Sequence, residues 1–249
     1  MNDLPIRSTC VIFGLICGTA VFLIPMAWAH PILVWTMKIE FDKVINSDLN
    51  PSKKGLTMGE SIIAINEQTN GEAIIVTDVG QHQMVACRYA NFIHSKSNIT
   101  SGGLGTMGFA LPAAMGAKMG AMNREVVAVI GDGGYQMTIQ ELGTIFQLQI
   151  PVKIVILNND FLGMVRQWQQ LFFDKRYAST EMINPDFVTI AKGYYLDSER
   201  VNDRKDLRPA VERMIKSKKP YVLEICVEKE DNVFPMIPSG ASVSDVRLS

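Results

Sequence analysis

Val126-Val127-Ala128-Val129-Ile130-Gly131-Asp132-Gly133-Gly134 decides the fold. The residues before Gly131 are apolar and mostly β-branched, the composition of a strand buried on both faces. The glycines end it, and the chain is expected to turn tightly there with the carboxylate of Asp132 at the strand's end. Downstream, Ile139, Leu142, Ile145 and Phe146 recur at helical spacing, and Val152-Lys153-Ile154-Val155-Ile156-Leu157 is a second buried run that ends in Asn158-Asn159-Asp160. Two parallel strands joined by a helix cross over right-handedly, so both strand ends open on the same edge of the sheet, where α/β proteins take ligands. Ala73-Ile74-Ile75-Val76-Thr77, ending in Asp78-Val79-Gly80-Gln81-His82, is a third strand, and Tyr221 to Val227 is the last. The expected fold is therefore α/β, a three-layer, doubly wound, mainly parallel sheet.

Asp132 and Asn159 can meet at that edge. A carboxylate oxygen, an amide oxygen and backbone carbonyls are hard ligands that suit Mg2+ or Ca2+ and suit zinc poorly. Gly133 and Gly134 leave N–H groups exposed at a helix start, which favours an anion. Metal plus anion points to a diphosphate. No Gly-Lys-Ser/Thr follows either glycine turn, so a nucleoside triphosphate fits poorly. Taken singly, Gly-Asp-Gly reads first as an ordinary turn and Asn-Asn as an ordinary start of a helix.

Together, Gly131-Asp132-Gly133 and Asn158-Asn159 resemble the metal motif of thiamine-diphosphate enzymes. Gly80-Gln81-His82-Gln83-Met84, Thr100-Ser101-Gly102-Gly103-Leu104-Gly105-Thr106-Met107-Gly108 and Leu162-Gly163-Met164-Val165-Arg166-Gln167-Trp168 narrow the likeness. All look like the C-terminal, diphosphate-binding domain of the acetolactate synthase large subunit, over about Lys54 to Ser249. The resemblance implies Mg2+ held by Asp132, Asn159 and the backbone carbonyl of Phe161, with diphosphate oxygens and a water completing an octahedron at ~2.0–2.1 Å. It implies that Gly133, Gly134 and Gly163 let backbone approach the phosphates, with Gly105 and Gly131 also beside the cofactor. Gln81 and His82 would donate hydrogen bonds to the diphosphate, although a lone His after a strand is equally a structural hydrogen-bonder. Met107 would wedge beneath the two rings of thiamine diphosphate and bend it, Met164 and Val165 would lie near the cofactor, and Trp168 would stand at the substrate entrance.

The implied activity is decarboxylation of pyruvate and its carboligation to a second 2-oxoacid, a transferase step of branched-chain amino acid biosynthesis in the cytoplasm. In the resembling family a glutamate from another domain, on a neighbouring subunit, activates the cofactor, and no residue of this chain matches that motif. The flavin-binding (FAD) middle domain has no counterpart here either. The chain is thus expected to be a catalytic fragment of a homo-oligomer, or to need a complementing chain, with a regulatory subunit as a further implied partner. The alternative is a cofactor-binding module, membrane-tethered or not, without activity of its own.

Gly103-x-Gly105-x-x-Gly108 also matches the dinucleotide fingerprint of Rossmann-type enzymes, with Asp132 as the later acid. Against it, Ser95 to Ser101 is polar and makes no buried strand, and the fingerprint leaves Asn158-Asn159 unexplained. The small residues that follow, Ala113, Ala114, Gly116, Ala117 and Gly120, are expected to pack closely on the sheet or on another subunit.

Across 249 residues the net charge is −1 and charged residues make up 20%, which gives no electrostatic footprint for nucleic acid. Cys10, Cys17, Cys87 and Cys226 form no C-x-x-C pair, so neither a zinc site nor a disulfide framework is expected. From Thr9 to Met37 there is no Asp, Glu, Lys or Arg. That stretch suits a membrane anchor, which needs ~20 apolar residues, a secretory signal ending at Ala27-Trp28-Ala29, or foreign sequence fused to a truncated enzyme. The domain plan is a hydrophobic helical segment at 1–38, a polar linker at 39–54 and the diphosphate-binding domain at 55–249. Thr57 and Glu60 form a capping box for the first helix of that domain. Asn184-Pro185 reads as a helix N-cap followed by proline at the first helical position, and Trp168, from its helical spacing alone, as a core residue.

Overall fold

A computed structural model of the chain describes residues 42–51, 55–238, 240–242 and 245–248. The hydrophobic segment 1–38 lies outside the described residues, and among these no helix is long and apolar enough to cross a membrane.

The capping box forms as its sequence dictates. Thr57 Oγ1 accepts from Glu60 N at 3.2 Å, Thr57 N donates to the Glu60 carboxylate at 3.0 Å, and α1 (Met58–Thr69) starts there. It stops at Asn70 in the left-handed conformation, φ 51°. Then come β1 (Ile74–Thr77), α2 (Gln81–Tyr89), β2 (Asn98–Ile99), a 3-10 turn (Gly102–Leu104), α3 (Ala110–Gly120), β3 (Val126–Gly131), α4 (Asp132–Met137) and α5 (Glu141–Leu148). The chain continues through β4 (Lys153–Asn158), α6 (Gly163–Phe172), α7 (Phe187–Gly193), β5 (Asp197–Val201), α8 (Arg204–Lys216) and β6 (Tyr221–Cys226).

The strands form one sheet in the order β2-β1-β3-β4-β6-β5, with every pairing parallel. Residues of β1, β3 and β4 are buried along their whole length, because helices cover both faces. On one face lie Ile62 and Ile65 of α1, Val85 of α2 and Leu207 and Met214 of α8. On the other lie Leu111 of α3, Leu142 and Ile145 of α5 and Phe187 of α7. Each such aliphatic side chain contributes ~1.5–3 kcal/mol on leaving water, so two apolar layers around a parallel sheet hold the domain. The expected three-layer, doubly wound fold is present. After β1 the chain runs outward to β2 and returns to place β3 on the other side of β1. That reversal leaves a crevice outside the carboxyl ends of β1 and β3.

Several local expectations change. Gly131 is extended, φ −79° and ψ 158°, and α4 begins directly at Asp132, so there is no tight turn. Within the stretch read as linker, residues 42–49 are helical; Ile45 and Leu49 pack on the core, and Thr57 Oγ1 donates to Asp48 O at 2.9 Å. The polar Ser95–Ser101 stretch does contain a strand, the two-residue edge strand β2, but it is not a buried one. The cap of α7 is Asp186, which accepts from Thr189 N at 2.9 Å, so Asn184 is two residues too early to serve. Ala110 and Ala114 of α3 are buried against the sheet, while a side chain at Gly116 or Gly120 would meet nothing within 4 Å.

Candidate functional site

The loops leaving β1, β3 and β4 carry Asp78–His82, Asp132–Gly134 and Asn158–Gly163 to the switch-point crevice, an open cleft. α2 and α6 both begin at its wall. Gly80 makes the bend into α2 possible, since its φ of 148° is open to glycine and little else.

Asp132 is 2% exposed. Its Oδ1 accepts from Gly133 N at 3.0 Å and its Oδ2 from Asn184 Nδ2 at 2.8 Å. Burial pushes its carboxyl up to about 6, with the Asn184 and Gly133 donors pulling the other way. Asn159 is also buried; its Nδ2 donates to Gln81 Oε1 at 3.4 Å, and its Oδ1 accepts from Phe161 N at 3.3 Å. Gln81 is itself fixed, donating through Nε2 to Gln167 Oε1 and to Asp231 O, both at 2.9 Å.

His82 is enclosed, and burial holds its pKa down at about 4, so the ring is neutral. Its Nε2 is buried without a hydrogen-bond partner. A neutral imidazole with one unused nitrogen in a cleft wall is suited to a ligand atom.

The glycines here are a matter of room. A Cβ on Gly163 would stand 2.1 Å from Gln81 Oε1 and 2.8 Å from Asn159 Nδ2. One on Gly133 would stand 2.7 Å from Leu162 Cδ2 and 3.6 Å from Met107 Cε, and one on Gly131 2.9 Å from His82 Nδ1. The segment after Met107 is held from behind by Asp78, whose buried Oδ1 accepts from Ala110 N at 3.3 Å while its Oδ2 has no hydrogen-bond partner. Desolvation still raises the Asp78 pKa.

The structure thus brings Gln81, His82 and Met107 together with Gly131, Asp132, Gly133 and Gly134. Asn159, Phe161, Gly163, Met164 and Val165 complete the same cleft. Gly105 and Trp168 are not among its lining residues. Gly105 sits in an exposed loop at φ 58°, and Trp168, 36% exposed, leans on Phe172 with ring centroids 4.9 Å apart. Trp168 is therefore not the core residue its helical spacing predicts. The Gly103-x-Gly105-x-x-Gly108 segment is a 3-10 turn and loop, exposed up to Thr106, rather than a glycine elbow behind a buried strand, which removes the dinucleotide reading. Met58 and Leu162 also line the cleft, and Asn184 and Gln167 hold its polar residues from behind. Leu162 was reachable from its place between Asn159 and Gly163. Asn184 carried no such signal, because the Asn-Pro-Asp pattern reads locally as a helix start.

The donor set fits a hard divalent cation with an anion beside it. A carboxylate, an amide oxygen and the Phe161 carbonyl are all oxygens, and His82 and the start of α6 line the same cleft.

Comparison with known proteins agrees. Residues 78–225 match the family model described as thiamine pyrophosphate enzyme, C-terminal TPP binding domain. The acetolactate synthase isozyme 2 large subunit of Escherichia coli (strain K12) is 43% identical over 183 residues, 73% of this chain and 33% of that protein. The acetolactate synthase large subunit of Lactococcus lactis subsp. lactis (strain IL1403) is 41% identical over 196 residues, 78% of this chain and 33% of that protein. Among solved structures, the Rhodococcus jostii RHA1 thiamine diphosphate-dependent 4-hydroxybenzoylformate decarboxylase is similar at a TM-score of 0.67 and 26% identity, covering 72% of this chain and 34% of that one. The chain spans about a third of the length of the curated relatives it matches. The resemblance drawn from the motifs holds over the same region, and through this domain the chain belongs to the thiamine pyrophosphate enzymes.

Proposed function

We propose that this chain is the cofactor-binding, C-terminal part of an acetolactate synthase, taking thiamine diphosphate with Mg2+ for decarboxylation of pyruvate and carboligation to a second 2-oxoacid. The observation that carries the proposal is the convergence of three oxygen donors, an unpartnered neutral imidazole and a glycine-lined wall in one cleft. Asp132 Oδ1, Asn159 Oδ1 and the Phe161 carbonyl hold the cation. His82 steadies the diphosphate, its Nε2 able to donate to an anionic oxygen while the ring stays neutral. Gln81, whose two amide hydrogens go to Gln167 and Asp231, lines the cleft beside it and braces Asn159 rather than donating through its side chain. Gly133, Gly134 and Gly163 keep side chains out of the phosphates' path. Met107, pressed toward Gly133 and followed by the segment that Asp78 holds, supports the rings, and Met164 and Val165 keep water from them. Trp168 stands on the outer face of α6, on the side from which an oxoacid enters. When bound, the coenzyme supplies a nucleophilic carbon and an electron sink for decarboxylation. Turnover also requires the activating glutamate, supplied by a separate domain or a neighbouring subunit.

Calorimetric titration with thiamine diphosphate tests the binding half. Uptake is expected with Mg2+ and not with the metal removed by chelation; equal uptake in both, or none in either, would refute it. Adding pyruvate tests the rest, since acetolactate is expected only once a glutamate-bearing domain is supplied.

Acidity should tune this binding. Below about 6 the Asp132 carboxyl takes up a proton and ceases to be an anionic ligand, so Mg2+ affinity should fall by about tenfold per pH unit. His82, held at about 4, stays neutral over that range. Folding stability runs the other way. A carboxyl whose folded pKa is raised adds stability below its unfolded value, ~3.9, and loses it as pH rises through the folded one. Metal-free parent protein should therefore gain stability relative to Asp132→Asn between pH 7 and pH 4, as paired thermal melts would show. No such relative gain would contradict the assignment of the raised pKa to Asp132.

A further inference from the structure

Asn184 lies outside the three strand-end loops, yet its side chain reaches Asp132 from behind. Its Nδ2 lies 2.8 Å from Asp132 Oδ2, 3.0 Å from Asn158 Oδ1 and 3.0 Å from Asp160 Oδ1. Two of those atoms belong to carboxylates, which only accept, so the amide must present its NH2 to them. Gln136 Nε2 fixes the other end by donating to Asn184 Oδ1 at 2.9 Å. An NH2 group has two hydrogens, so three acceptors compete for it. Asp160 is already served by Lys229 Nζ at 2.9 Å. Asn158 is tied through its own Nδ2 to Glu224 Oε1 at 2.8 Å, and Glu224 in turn accepts from Arg200 Nε at 2.7 Å. Asp132 Oδ2 makes the shortest of the three contacts and is charged when ionised, which favours it.

The backbone explains how Asn184 arrives there. The segment before it is tied to the Asn159–Leu162 loop: Leu162 N donates to Thr180 O at 2.8 Å, Met182 N donates to Asp160 O at 2.9 Å, and Phe161 and Glu181 form an antiparallel bridge. The same few residues that offer Asn159 Oδ1 and the Phe161 carbonyl to the cleft therefore also deliver Asn184 to the back of Asp132.

We propose that Asn184 is a positioning residue for the cation: by holding Oδ2 of Asp132 from behind it turns Oδ1 toward the metal, an inference that rests on the Mg2+–thiamine diphosphate function proposed above. Partners of this kind typically alter metal affinity by ~10–100-fold when removed. The test is thiamine diphosphate uptake by the whole chain, followed by calorimetry across a range of Mg2+ concentrations. Asn184→Leu is expected to raise the Mg2+ concentration for half-maximal uptake by ~10–100-fold. Its affinity for thiamine diphosphate at saturating Mg2+ should return to that of the parent, a split that general loosening of the fold would not give. Gln136→Leu, which frees the amide to flip, should raise the Mg2+ requirement by less, under ~10-fold. If Asn184→Leu keeps the parent's Mg2+ requirement, the positioning role is overturned while the proposed function stands. If the parent itself shows no Mg2+-dependent uptake, both are overturned. Should Asn184→Leu not fold, as judged by near-ultraviolet circular dichroism, an unchanged requirement in Gln136→Leu overturns the role and a raised one supports it.

Discussion

Asp132→Ala should cost this protein at least ~100-fold in Mg2+-dependent uptake of thiamine diphosphate, equivalent to ~2.7 kcal/mol. Asp132 supplies the carboxylate at the joint between β3 and α4, in the adjacent strand to Asn159, with Gly131 in register with Leu157. Mg2+ is bound chiefly through one or two carboxylates together with substrate phosphates. An amide and a carbonyl do not replace the lost charge. Folding should survive, because two effects offset each other. The change takes from the Asn184 amide one of its three acceptors, at a cost of no more than ~1–3 kcal/mol since Asn158 Oδ1 and Asp160 Oδ1 remain at 3.0 Å, and it also removes a buried carboxylate whose raised pKa already reports an unfavourable ionised state. The measurement is calorimetry beside thermal melts of the metal-free protein. Uptake equal to the parent's in a folded variant would sink the metal assignment. Asn159→Ala, which removes a neutral ligand, should cost less.

The largest effect on stability is expected at Gly134→Ala. A Cβ at this position would stand 1.7 Å from Asp78 Oδ2 and 2.9 Å from its Cγ. Asp78 is fully buried, and its other oxygen, Oδ1, accepts from Ala110 N at 3.3 Å, so the carboxylate has little room to swing aside. Either α4 moves off the sheet or that hydrogen bond breaks. Overpacking of this kind costs ~3 kcal/mol, which in a domain this size lowers Tm by roughly 6–12 °C. Gly116→Ala on α3 is the matched control. Its Cβ would meet nothing within 4 Å, and replacing a helical glycine in open space should stabilise by ~0.5–1 kcal/mol. Equal melting of the two variants would show that the contact at Gly134 is not the constraint described.

The strands were legible because a buried parallel strand has to be apolar at every position, and three such runs stood out around Ile75, Val129 and Val155. Asp132 and Asn159 were legible for a related reason: polar residues directly after apolar runs fall at the sheet's carboxyl edge. Gln81, His82 and Met107 came from resemblance, and the cleft gathers them as well. What stayed hidden depended on contacts distant in the chain. Asn184 meets oxygens 52, 26 and 24 residues away, and nothing in Asn-Pro-Asp distinguishes that from a helix cap. Gln167 sits between buried Arg166 and exposed Trp168 on a helix with no apolar run to mark its inner face, and it is fully buried between Gln81 and Val233. Residues 42–49 looked like linker because their polar content dominates, whereas Ile45 and Leu49 on the core, together with Asp48 bonded to Thr57 and Tyr89, seat them. The glycines after β3 were expected for a tight turn and for close approach of the backbone to phosphates; the structure adds that neighbouring side chains leave no room for a Cβ there.

The outer margins of the sheet bear on how such a domain behaves in a crowded solution. β2 is two residues long, and β5 reads Asp197-Ser198-Glu199-Arg200-Val201, with Arg213 clasping Glu199 from α8 and Glu224 clasping Arg200 from β6. A margin that short offers too few free amides to template a foreign strand, and a margin that heavily ionised would have to be stripped of water first. Growth of the sheet into fibrils or domain-swapped chains is thereby discouraged at both borders, leaving helices and loops as the surfaces through which copies of this chain can meet.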